Sequence, residues 1–410
     1  WSLPPAGTLI DFGGMTYGEG LVFRLIDAGA GRQIEATYAA TGQPAWTLPF
    51  DWSTPQIVAD SGTVVDFSPN QVLASSGNIF AVDAENRLIA LNATTGAIAW
   101  QYPFANPVSS MVFDSGTLYV WDESGSMTAF TATDGTVQWT TTAPNQSGGS
   151  QTNELGMPVP ALTNDIIVMV DAAGTLHAFD RESGAIVWST PGFDGTNTRI
   201  VRQGNAEWDQ TEVFVVVSAT GPMQDDGSFE QRVSGVLAAT GERAWDSAMQ
   251  GPLVQPVNTD EDKVVVTANQ LSTGKNVPTG ATPMVDGESF NHYTWTSTGA
   301  AVAEGGGQRL FALQADSGEI IWIRTTAAGG FTDLGTKFPS GGGWLYAVTS
   351  DGLLVSPNRG NGAIDGEPTN LGGPVLAVAS SGETGTIGSF ATLTDGTLVA
   401  FGGTPFSQQG

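Results

Sequence analysis

Cysteine is absent from the 410 residues, lysine occurs only at Lys263, Lys275 and Lys337, and histidine only at His177 and His292. Without cysteine there is no disulfide, no thiolate metal site, no covalent haem attachment and no thiol nucleophile. Basic residues number 14 against 41 acidic ones, a formal net charge of -27. Such a surface repels phosphate backbones and anionic lipid heads, so neither nucleic acid nor a membrane surface is an expected partner. No apolar run reaches 18 residues, so no segment reads as a membrane-crossing helix. No leader pattern is visible at Trp1, and an upstream leader or anchor outside this stretch is expected. Gly-x-Ser-x-Gly, P-loop and His-Glu-x-x-His patterns are also missing.

What is abundant is glycine, 54 residues, spread among short apolar runs. The stretch Asn78 to Trp100 shows the unit: an apolar strand, a polar turn, a second strand, a Thr-Gly turn and a Trp opening a third. The unit returns ending at Trp139 and at Trp188. Aligning Gly with the Trp four residues on gives Gly42/Trp46, Gly96/Trp100, Gly135/Trp139, Gly184/Trp188, Gly241/Trp245 and Gly318/Trp322. A degenerate seventh copy follows from Trp344, with Gly366 where the Trp would stand. Three more strands are expected near Val375–Ser380, Thr386–Thr394 and Thr397–Gly402, with no fourth behind them. Trp1-Ser2-Leu3-Pro4 matches Trp46-Thr47-Leu48-Pro49, so the first residues are expected to supply that fourth strand.

Repeats of this length, with turns every few residues and period-2 alternation, imply an all-β propeller of four-stranded antiparallel blades. The expectation is one domain over residues 1–410 with eight blades, closed by the N-terminal strand; seven is the alternative if degenerate copies merge. Strands are lettered A to D within a copy, D being the one that carries the Trp. Trp1, Trp46, Trp100, Trp139, Trp188, Trp245 and Trp322 are expected to dock between neighbouring blades.

The pattern Ala-Leu/Phe-x-Ala-x-Thr/Ser-Gly-x-x-x-Trp resembles the PQQ-type propeller repeat. That repeat occurs in quinoprotein dehydrogenases, in BamB-like assembly lipoproteins and in ectodomains of bacterial Ser/Thr kinases. The resemblance implies the fold and leaves the task open. Active quinoproteins hold their cofactor against a vicinal-cysteine disulfide, beside calcium and an Asp base. This chain lacks the cysteines, matches no calcium set residue by residue, and is poor in cations for the quinone's carboxylates. No cofactor, no metal and no catalytic residue is therefore expected.

Other polar residues read as parts of the fold. His177 lies in strand C and reads as a blade-packing or solvent-facing position. Asp225-Asp226-Gly227 and Asp260-Glu261-Asp262 lack the spacing of an EF-hand loop and read as solvated turns. Asp83 to Asn86 and Asp122 to Gly125 are B–C turns.

Three segments break the repeat: Thr140 to Pro158, Thr220 to Gln231, and Asn269 to Gln308. In a four-stranded meander all three emerge on one face, and long loops in compact domains often carry function. The 269–308 insertion is expected as a long loop bearing Phe290, His292, Tyr293 and Trp295. With Met223, Asp225, Asp226 and Phe229 it makes a candidate partner surface, apolar with an acidic edge that favours a basic partner. The expected function is a monomeric, noncatalytic, extracytoplasmic scaffold that binds a protein of the bacterial cell envelope. A ligand-sensing ectodomain and a quinone-dependent dehydrogenase are the alternatives.

Overall fold

The computed structural model describes residues 2–3, 15–27, 31–51, 73–75, 77–144, 161–195, 198–203, 211–225, 227–251, 257–258, 263–268, 270–272, 284–285, 288–289, 294–295, 300–302, 309–325, 331–333, 347–349, 352–355, 369–380, 389–393 and 395–401. Every regular element among them is a strand. The strands group into eight sheets, six of them four-stranded and five of those meanders in sequence order. The second sheet is typical: Leu73–Ser75, Asn78–Val82, Arg87–Asn92 and Ile98–Pro103 pair antiparallel in turn. The chain is a β-propeller of antiparallel four-stranded sheets, as its sequence implies.

The reason lies in the B strands, which are buried on both faces. In Asn78–Val82, Ile79 and Ala81 pack with Phe23, Leu25 and Ile34 of the first sheet. Phe80 and Val82 point the other way, onto Leu118 and Val120 of the third. The third sheet's Tyr119 and Trp121 then meet Ile167 and Met169 of the fourth. Val168 and Val170 meet Phe214 and Val216 of the fifth, whose Val213, Val215 and Val217 meet Val264 and Val266 of the sixth. Period-2 alternation thus sends successive side chains into two different inter-sheet cores, and each sheet stabilises its neighbours on both sides.

Ser2–Leu3 pairs antiparallel with the last strand, Leu398–Phe401, through Ser2↔Val399 and Leu3↔Leu398. It is the fourth strand of the eighth sheet, while Trp1 lies outside the described residues. The A strands of the first and eighth sheets also lie against one another. The seventh copy's Trp344 and Gly366 lie outside the described residues.

Candidate functional site

Five of the repeat tryptophans tie their blade to the next through two contacts. Trp46, Trp100, Trp139, Trp188 and Trp245 donate Nε1–H to the carbonyls of Ala93, Ala132, Arg181, Ala238 and Ala315, at 2.7–3.0 Å. Every acceptor stands three residues before the repeat glycine of the following copy. That glycine adopts φ near +71° to +74° and lies under the same indole. A Cβ at Gly96, Gly135, Gly184, Gly241 or Gly318 would come within 2.5–3.0 Å of a ring atom. The glycine is required twice, for its backbone conformation and for the ring above it.

The repeated acidic turns are consumed in the same way. Oδ1 of Asp83, Asp122 and Asp171 each accepts two backbone N–H groups across its B–C turn. The second oxygen is used differently: Asp83 pairs with Arg87 at 2.6 Å, and Asp171 meets His177 Nε2 at 2.9 Å. His177 Nδ1 lies 2.8 Å from Ser189 Oγ on the D strand. Carboxylate, imidazole and hydroxyl are the groups of a nucleophilic triad, yet here they join a turn to an edge strand. Asp171 and His177 are buried, whereas Ser189 is exposed at the sheet margin. The packing reading of His177 stands, and its carboxylate partner was not visible in the sequence.

The candidate partner surface is rearranged by the structure. Thr220 to Gln231 is not a free loop, because strands Val213–Ala219 and Phe229–Leu237 pair through Ala219↔Gln231, and Thr220 N–H bonds Glu230 O. Only a short tip remains, closed by Gln224 N–H to Ser228 O. Phe229 is 4% exposed and packs with Ala219 and half-buried Met223, so that ring supports the hairpin. Asp225 is exposed at the tip, and Asp226 lies outside the described residues.

The described residues of the 269–308 insertion are likewise strands. Gln270–Ser272 pairs with the fifth sheet's D strand through Ala248↔Ser272 to Gln250↔Gln270, and Ala300–Val302 and Thr294–Trp295 follow outside it. Met284–Val285 adds in parallel to the sixth sheet's D strand. An insertion in the sixth copy therefore covers the outer edges of two sheets, because a D edge offers unpaired backbone groups that a strand satisfies. Trp295 is placed on the outermost added strand; Phe290, His292, Tyr293 and the acidic run 260–262 lie outside the described residues. Similarly, Thr140–Thr142 belongs to a D strand, so the third repeat-breaking segment starts later than the sequence implied.

Residues 30–215 match the PQQ_2 family, described as outer membrane protein assembly factor BamB. Over those residues the repeat is PQQ-like. No curated protein matches the chain in sequence. Among solved structures, BamB from Moraxella catarrhalis is similar at TM-score 0.55 and 16% identity, covering 98% of each chain. A europium-containing methanol dehydrogenase gives TM-score 0.54 at 13% identity, covering 95% of this chain and 83% of that one. The quinohemoprotein alcohol dehydrogenase of Comamonas testosteroni gives 0.54 at 14%, covering 93% and 70%. At such identities the likeness is one of fold.

Proposed function

We propose that the chain is a noncatalytic, extracytoplasmic scaffold that binds a protein of the cell envelope. The observation that carries this is the fate of the repeat-breaking residues. The described strands of the sixth copy's insertion widen the flank of two adjacent sheets, and the polar groups of the turns are spent on holding backbone. The description of the matched family supports an envelope setting.

The test is capture of an envelope protein by the intact chain. Replacing Phe290, Tyr293 and Trp295 together with Ala is expected to abolish capture while the melting temperature stays within about two degrees. A triple variant that melts early and still captures its partner would assign those rings to packing and move the interface elsewhere. The fold likeness to two dehydrogenases favours a second reading, quinone-dependent oxidation. Turnover of an artificial electron acceptor with quinone, calcium and an alcohol would establish it in place of the scaffold.

A further inference from the structure

We propose that the outer edge of the third sheet, the strand Val137–Thr142, is a strand-addition site for an extended, basic segment of a partner protein. The proposal deepens the scaffold reading and rests on it.

Five other outer edges are protected. An open edge presents unpaired N–H and C=O groups and invites another strand. In the seventh and eighth sheets only Thr369–Asn370 and Ser2–Leu3 of the outer strands are described, and those two edges are left aside. The fifth and sixth are covered by strands of the insertion. The first, second and fourth end in Pro49, Pro103 and Pro191.

Those prolines sit where the backbone nitrogen faces outward. Phe50 N–H bonds Arg32 O, Phe104 N–H bonds Asn86 O, and Gly192 N–H bonds Gly174 O. The adjacent pairs Gln33↔Pro49, Arg87↔Pro103 and Thr175↔Pro191 are thus non-hydrogen-bonded, and an N–H at the second residue would point away from the sheet. Proline deletes that donor on three edges.

The third sheet has the same register without the device. Ala143 N–H bonds Gly125 O, so Ser126↔Thr142 and Thr128↔Thr140 are the non-hydrogen-bonded pairs. Thr140 and Thr142 therefore turn both N–H and C=O outward. Their sequence, Val-Gln-Trp-Thr-Thr-Thr, carries no proline and no charge, and Val137, Gln138, Thr140 and Thr142 are exposed. Among the described residues no strand pairs with this edge. The molecule shows that a D edge accepts a strand, in antiparallel fashion at Ala248–Gln250 and in parallel at Met284 and Val285.

Charge selects the occupant. A second copy would bring another -27 to the contact, whereas a basic segment is drawn in by the field of the whole chain. Recognition by main-chain pairing with alternate side chains is the mode such an edge supports.

The probe is a capped hexapeptide of alternating valine and threonine between terminal lysines, added to the whole protein. Binding is expected to weaken with salt and to slow amide exchange at Thr140 and Thr142. Thr142→Pro, the residue three other edges already use, is expected to lower the peptide's affinity at least tenfold with an unchanged melting curve. If that variant folds poorly, the exchange pattern of the unaltered protein decides. No binding, protection at other strands, or equal affinity for Thr142→Pro would overturn the site. So would a dimer of the free protein that Thr142→Pro dissolves, because the edge then serves a second copy. Equal capture of an envelope protein by both forms leaves the scaffold standing and overturns the edge. Peptide protection at Thr140 and Thr142 with no envelope partner captured does the reverse.

Discussion

The second to fourth sheets and the fifth and sixth are built from one unit and finish differently. In both regions the Trp indole bonds a carbonyl of the next blade, from Trp100 to Ala132 and from Trp245 to Ala315. At the outer edge they part. Trp100 and Trp188 remain half-buried and Trp139 is 9% exposed, whereas Trp245 and Trp322 fall to 5% and 0%. The repeat supplies the contact between blades, and insertion strands pair with the outer edge at Ala248–Gln250 and at Trp322 and Ile323. The same Trp is therefore a partly wet clamp in one region and core in the other.

The largest expected effect tests that contrast. Trp322→Ala removes a fully buried indole and is expected to cost about 3–5 kcal/mol in denaturant unfolding. Trp100→Ala is expected to cost about 2 kcal/mol, since its ring already meets solvent and its single hydrogen bond contributes about 1 kcal/mol. Equal losses would erase the distinction between the regions.

A smaller effect separates the regular blades from one another. His177→Ala leaves the second oxygen of buried Asp171 without its imidazole, and is expected to cost about 1–3 kcal/mol. Ser189→Ala removes a hydroxyl at the exposed margin, and is expected to cost about 0.5–1 kcal/mol. Equal costs would show that the chain of three groups acts as a unit, which the contrast in exposure does not predict.

The smallest effect concerns the C–D turns. The Ser183 hydroxyl, helped by its N–H, holds the Asp180 carboxyl below its usual 3.8. In the second sheet Asn92 caps the equivalent turn without a charge, accepting from Thr94 and Thr95. A carboxylate depressed in the folded state contributes stability above its unfolded pKa, and loses it as pH falls through the folded value. Asp180→Asn should therefore melt slightly below the wild type near neutral pH, by less than about a degree for so exposed a group. The gap should close below pH 4; a gap that widens on acidification would reverse the sign of the turn's contribution.

Much of the fold was legible because its causes are local. Thr/Ser-Gly turns, strands of period two and a Trp four residues on locate each blade, and they do so wherever the copy is regular. Phe229 shows where that reading stops. In an insertion it resembled an exposed anchor, but hairpin pairing out to Phe229↔Gly251 carries it onto Ala219. Arg24 and Glu35 are another case: they lie on adjacent strands, with Arg24 also reaching Gly396 O in the eighth sheet 372 positions away. Nothing in the spacing of those residues announces that a buried ion pair within the first sheet also donates to a backbone carbonyl near the other end of the chain.

By itself, the amino-acid order determined the blade, because strand alternation, turn glycines and indole spacing act within a few dozen residues. The choice of covered edges belonged to the tertiary structure. An insertion finds whichever unpaired D strand lies within reach, including one on a neighbouring sheet, and sequence distance does not rank those choices. The meaning of Pro49, Pro103, Pro191 and Thr142 was decided there too. A proline guards an edge only when the register turns its nitrogen outward, and register is a property of two paired strands.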